Sequence, residues 1–287
     1  MKRILCCLTA AVLCLLAGCG GAGAETKTEG KLLLATTKPV YELTQAVLGD
    51  TEGFQVELLI QEQVSCLHDY TITTGQMKKI EQAEAVILSG AGLEDFMSSS
   101  LSGKEEGAII DSSEGIELLE DDPHIWLDPR RYAQQGENIA AALGEKYPDY
   151  AENFQANAKA YTDEILKKYQ EDWYPAAQSL SCKELVTFHD GFSYFADAYG
   201  LTILAAMEEE EGAEPSAAEL KEVMELTKEH GLPMIFAEKN GAANAAEIVS
   251  QETGAKLGIL NLGMSSDSGD YVQVMDEDID ALKAGLQ

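Results

Sequence analysis

Lys183-Glu184-Leu185-Val186-Thr187-Phe188-His189-Asp190-Gly191-Phe192-Ser193-Tyr194-Phe195-Ala196 decides the fold. Its first six residues predict a short strand, and a helix is expected to begin within a few residues of His189. A strand feeding a helix is the βα unit of a parallel sheet. Working outward, short β-branched or aliphatic runs alternate with amphipathic segments from residue 31 onward. The strand candidates of the first half are Lys31–Thr36, Gln55–Ile60, Glu84–Ser89 and Ala108–Ile110. Those of the second half are Lys183–Phe188, Leu201–Ala205, Pro233–Glu238 and Ala255–Leu260. The expectation is an α/β protein with four parallel strands in each half. A length of 287 residues agrees, at about 150 residues per domain.

Between the halves, Tyr150, Phe154, Ala158, Tyr161, Ile165, Tyr169 and Trp173 recur every three or four residues, and no Pro or Gly interrupts Asp149 to Tyr174. This predicts one long helix. Nearly thirty residues would span roughly 40 Å, enough for a spine shared by two lobes. The expected organisation is a lobe over 31–147, a linking helix over 148–177 and a second lobe over 178–287.

Hydrophobic residues make up 45% of the chain and charged residues 24%, which supports a packed core. Fifty Asp and Glu face twenty Lys and Arg, a formal charge of −30. Such a field repels nucleic acid and anionic membranes and draws in cations.

Lys2 and Arg3 precede an apolar run, Ile4 to Ala17, that is shorter than the roughly 20 residues of a membrane span. It reads as a secretion signal over 1–18. Leu16-Ala17-Gly18-Cys19 has the pattern of a bacterial lipoprotein cleavage site, which predicts lipidation at Cys19 and an extracytoplasmic protein anchored to the membrane by lipid alone. Residues 19–30, opening Cys19-Gly20-Gly21-Ala22-Gly23, form a flexible tether. Only Cys66 and Cys182 remain for the folded part, and they are expected not to be bridged.

The chain has four histidines. His68, His124 and His189 each follow a predicted strand, and in parallel α/β sheets ligand-contacting groups gather beyond the carboxyl ends of strands. Two sheets facing a common cleft would bring the three imidazoles together. His230 precedes Gly231 at a predicted helix end, where an imidazole suits the dipole, and it is excluded from the site. His124-Ile125-Trp126-Leu127-Asp128-Pro129 places a histidine just ahead of a helix start, with Asp128 as N-cap and Pro129 in the first turn. Thr73 or Thr74 is the cap expected after His68, and Ser216 with Glu219 reads as a capping box. The acidic run Glu208 to Glu211 reads as a solvated loop.

In order and spacing, these segments resemble the zinc/manganese-binding solute-binding lipoproteins of bacterial ABC transporters, the ZnuA and TroA type of cluster A-I. The specific elements are His124 to Pro129, Phe188 to Leu201, Ala213 to Leu220 and the lipoprotein site. The resemblance implies two Rossmann-like lobes on either side of a long helix, with a metal ion in the cleft. It places the ligands on His68 before Tyr70, on His124, on His189 and on Asp267, with Asp270 and Glu238 as alternative oxygen donors. It implies no catalytic group, monomeric action, and delivery of the ion to a membrane permease with its cytoplasmic ATPase. Thr71 and Ile72 depart from the family pattern after His68, and no His-rich loop precedes His124.

Three neutral imidazoles and a carboxylate form a four-coordinate N3O set that favours Zn2+, with Mn2+ as runner-up because it prefers more oxygen. Ligands 56, 65 and 78 residues apart cannot form a local zinc finger, so the site requires both lobes. A zinc hydrolase is the competing class, but no His-Glu-x-x-His motif is present. An adhesin with a structural metal is the other alternative.

Overall fold

The structure is a computed structural model that describes residues 30–63, 67, 70–105, 107–119, 122–207 and 215–287. The signal segment 1–18, Cys19, Cys66, His68 and Glu208 to Glu211 lie outside the described residues.

The chain runs β1 (Lys31–Ala35), α1 (Lys38–Leu48), β2 (Phe54–Leu58), α2 (Thr74–Gln82), β3 (Ala85–Leu88), the short α3 (Ser98–Leu101) and β4 (Ile109–Asp111). Helices α4 (Pro129–Lys146), α5 (Ala151–Lys168) and α6 (Tyr174–Gln178) follow. The second half is β5 (Glu184–Thr187), α7 (Ser193–Tyr199), β6 (Thr202–Ala206), α8 (Ala217–Glu229), β7 (Met234–Glu238), α9 (Asn244–Thr253), β8 (Lys256–Leu260) and α10 (Tyr271–Leu286). All eight expected strands are present, with ends within two residues of the sequence reading. They form two four-stranded sheets, ordered β2-β1-β3-β4 and β6-β5-β7-β8, and every pairing is parallel.

The same strand order in both sheets puts a topological switch point beside β1 and β5, where crevices open at the carboxyl ends of strands. In the first sheet Glu94 fills that crevice. Its carboxylate accepts from Thr36 Oγ1 at 2.5 Å and from the Ser89 and Gly90 amides at 2.8 and 3.0 Å. Burial pushes this carboxyl up to about 7, against the pull of those three donors.

The linking helix is not uniform. Between α5 and α6, Tyr169–Trp173 forms a π turn. Ile165, Tyr169, Trp173 and Ala177 are buried at successive intervals of four. In an α-helix of about 3.6 residues per turn each such step overshoots by roughly 40°, and the wider π turn brings the stripe back to one face. Trp173 then donates its indole N–H to Asp276 of α10 at 2.7 Å. One connected apolar cluster runs from Leu33 and Val86 of the first sheet, through Phe154, Ile165 and Trp173, to Phe236 and Leu286 of the second half. A smaller cluster under β5 and β7 includes Val186, Ile235 and Val249.

The expected caps are in place. Asp128 accepts from the Arg130 amide at 2.8 Å. Thr73 with Gln76 and Ser216 with Glu219 form capping boxes. His230 caps α8, and its Nδ1 lies 3.0 Å from Glu184 Oε2. Cys182 is a free thiol. Among the described residues no helix is long and apolar enough to cross a membrane.

Candidate metal centre

The loops after β4 and β5 bring His124 and His189 together, their ring centroids 5.5 Å apart and their planes at 83°. His124 is held by its neighbours in sequence. Ile125–Leu127 forms a fully buried 3-10 turn, and Asp128 and Pro129 start α4 immediately after it. Asp128, itself buried, is bonded by Arg130 and Arg131, and both arginines also reach Asp197 on α7 of the second half. The turn carrying His124 is therefore pinned from both lobes.

His124 is completely buried. Its Nδ1 lies 2.7 Å from Asp122 Oδ1, an oxygen that also accepts the His124 amide at 2.8 Å. The other Asp122 oxygen accepts from the Ser193 amide at 3.3 Å, so a carboxylate from the first half also caps the start of α7. Burial works to raise the Asp122 carboxyl, but its bonds and charge attraction to His124 prevail and hold it below the usual carboxylate range. An imidazole whose Nδ1 proton is given to a carboxylate presents a lone pair at Nε2. The His124 Nε2 is buried and has no hydrogen-bond partner among the described residues.

His189 stands two residues beyond the end of β5 and is 9% exposed. Glu238, at the end of β7, sets its Oε2 3.3 Å from His189 Nδ1. Each imidazole thus has a carboxylate on its δ nitrogen, an arrangement that turns the ε edges toward a common space. Gly191 leaves that space open. A Cβ at this position would lie 2.6 Å from His189 Cδ2, 2.8 Å from His189 Nε2 and 3.0 Å from His124 Cε1.

Of the other site candidates, His68 lies outside the described residues. Asp267 is exposed on the loop after β8. It accepts from Ser265 Oγ at 2.5 Å and from Gln63 Nε2 at 2.8 Å, a bond that joins its loop to the segment leading to His68. Asp270 is the N-cap of α10, accepting the Gln273 amide, and Glu238 serves His189. Among the described residues no three His, Cys, Asp or Glu side chains form a group able to hold a metal. The structure therefore brings two of the four expected ligands together.

Sequence reasoning missed Asp122, although a carboxylate two positions before His124, with Pro123 between them, was a readable signal. Trp126, read from the sequence as packing around the site, is buried, and its indole N–H donates to the Leu262 carbonyl at 2.7 Å, tying the His124 turn to the loop of Asp267. That contact joins residues 136 positions apart and leaves no local trace.

Known proteins share this arrangement of lobes and loops. The chain is 32% identical to the zinc-binding lipoprotein AdcA of Streptococcus pneumoniae serotype 4, over 99% of this chain and 61% of that protein. The chain thus spans about three fifths of that relative's length. It is 28% identical to the high-affinity zinc uptake system protein ZnuA of Bacillus subtilis, over 96% and 95% of the two chains. The solved structure of the laminin-binding protein Lmb of Streptococcus agalactiae, described as an adhesin with metal-transporting activity, superposes with a TM-score of 0.80 at 26% identity, covering 90% of this chain and all of that one. The sequence profile of the zinc-uptake complex component A, a periplasmic protein family, matches residues 33–285. With nearly the whole described fold inside that match, the chain belongs to the zinc-uptake component A family.

Proposed function

We propose that this protein is an extracytoplasmic receptor that captures Zn2+ between its lobes and delivers it to a membrane permease powered by a cytoplasmic ATPase. The observation that carries the reading is the His124 Nε2, fully buried, without a hydrogen-bond partner among the described residues, and facing a second imidazole across the space that Gly191 leaves open. A buried polar atom left unpaired costs about 1–3 kcal/mol, which a bound ion offsets.

The ligand set is His68, His124, His189 and Asp267. Asp122 and Glu238 orient the two described imidazoles, as carboxylates behind metal-bound histidines do. Gln63, five positions before His68 in the chain, bonds Asp267 across the lobes, which supports a ligand set drawn from both. Three imidazoles and one carboxylate suit Zn2+ over the harder Mn2+. The cation is cargo, and the reading assigns no residue to catalysis. The lobes are 31–147 and 178–287, linked by 148–177, and the protein acts as a monomer held to the membrane through lipidated Cys19.

Isothermal titration of the metal-stripped, soluble chain tests the reading. Zn2+ is expected to bind one to one, more tightly than Mn2+, with affinity collapsing in His124→Ala and His189→Ala. Binding that is weak, or unaffected by those two substitutions, would refute it.

A further inference from the structure

The loop over residues 261–270 belongs by chain connectivity to the second sheet, yet the first half of the molecule holds it at both ends. Near its start the Trp126 indole donates to the Leu262 carbonyl. In its middle, Ser266 Oγ donates to the Gln61 carbonyl at 2.9 Å, and Gln63 bonds Asp267. At its end stand two side chains of α1. Lys38 Nζ donates to the Gly269 carbonyl at 2.6 Å, and Glu42 Oε2 accepts the Tyr271 amide at 2.8 Å. Lys38 and Glu42 are also ion-paired to each other, with side chains only 16% and 13% exposed.

The geometry is specific to an inter-lobe grip. Tyr271 is the first residue of α10, and its amide has no acceptor within the helix. A carboxylate from the opposite lobe supplies that acceptor and places negative charge at the positive end of the helix dipole. The adjoining Tyr271 side chain completes the contact. Its ring stacks on Tyr132 at 3.7 Å, and its hydroxyl donates to the Trp126 carbonyl at 2.8 Å. The loop is tied to its own helix at its two end residues, by the Asn261 amide to Asp278 Oδ1 and by the Gln273 amide to Asp270 Oδ1.

We propose that Lys38 and Glu42 are positioning residues for metal binding: together they form a clasp that shuts the two lobes on each other and fixes the Asp267 loop against the first lobe, so that the ion leaves only after the clasp parts. The proposal rests on the zinc-receptor reading. An isolated exposed ion pair contributes little. This pair is mostly buried, and each member holds a backbone group of the other lobe. Removing one partner strands the other charge in a poorly solvated place. Changes at one interface fall mainly on the rate of separation, so the clasp should set how slowly zinc leaves more than how fast it enters.

The test uses the soluble mature chain over residues 20–287, with Lys38→Met, Glu42→Gln and the double variant. Zinc release to an excess of chelator, followed by stopped flow, is expected to quicken about tenfold in each single variant, the equivalent of about 1.4 kcal/mol. Association should stay within about threefold of wild type, and the double variant should gain little over either single one because the two residues act as a unit. Lys283→Met is the control, since it removes an ion pair internal to α10 and should leave release unchanged. In parallel, nitroxide labels at Met77→Cys and Ile248→Cys, two exposed positions on opposite halves, in a Cys66→Ser and Cys182→Ser background, report the lobe separation of the metal-free chain. The clasp variants should give a longer and broader distance distribution. Folded variants with wild-type release, or with an unchanged metal-free distribution, overturn the clasp. Loss of zinc binding by the wild type overturns only the receptor reading, because the metal-free distances decide the clasp without any ion.

Discussion

Gly191→Ala puts the geometry of the metal centre to a direct test. The added methyl would stand 2.6 Å from His189 Cδ2, about 0.9 Å short of the ~3.5 Å at which carbon atoms rest against each other. It would also crowd His189 Nε2 and His124 Cε1 at 2.8 and 3.0 Å. Neither ring has an easy retreat: His124 is fully buried and bonded to Asp122, and His189 is tied to Glu238. Swinging a ring by about 30° off its rotamer costs about 0.5–1.5 kcal/mol. A displacement of most of an ångström far exceeds the roughly 0.2 Å within which metal ligands must sit. Zinc affinity should therefore fall about 10–100-fold, the range seen when the support of a ligand is disturbed. A competition titration against a chromogenic chelator measures this, and thermal unfolding of the metal-free variant shows that the fold persists. If Gly191→Ala binds zinc as wild type does, the histidine pair is not where the ion sits.

Other substitutions separate support from structure. Asp122→Asn removes the charge behind His124 and should weaken zinc binding about tenfold or more by calorimetry, with a smaller effect on metal-free stability. Asp128→Ala removes the α4 cap and one of the two carboxylates that Arg130 and Arg131 share, and should cost about 1–2 kcal/mol in urea denaturation. Glu94 has its carboxyl raised from 4.5 to about 7, so between those values the native state keeps a proton that the unfolded chain has shed. Its contribution is complete below about 4.5 and lost as pH rises through 7, a change of about 3 kcal/mol. The stability of wild type relative to Glu94→Gln should fall by about that amount from pH 4.5 to 8, and parallel pH profiles would contradict the assignment.

The strands were legible because a buried parallel strand has to be a short aliphatic run, as in Leu32 to Ala35 or Ile235 to Ala237, and turns bound such runs on both sides. Asp128, Thr73 and Ser216 were legible as caps because capping is a contact across three residues. The π turn at Tyr169–Trp173 was present as three successive intervals of four, but a stripe counted only as helical does not distinguish an α turn from a wider one. His124 and His189 could be placed at strand ends from sequence, and their meeting followed from the parallel topology. Their carboxylate partners divide the same way. Asp122 is local and was overlooked, whereas the role of Glu238 depends on β7 lying beside β5, and the sequence admitted it only as an alternative metal ligand to Asp267. The grip of Lys38 and Glu42 on Gly269 and Tyr271 spans more than 220 positions, and no local pattern in α1 marks it.

The apolar cluster that threads from Leu33 through the linking helix to Leu286 has a further consequence. A gene cut at the inter-lobe junction would encode two products, each with an oily flank where its interior used to be, and neither should persist alone in an extracytoplasmic compartment policed by proteases. Heating the intact chain should give one calorimetric peak whose enthalpy matches its van't Hoff value. The cargo would then raise the melting point of every residue at once, so a thermal scan of the whole protein serves as a zinc titration.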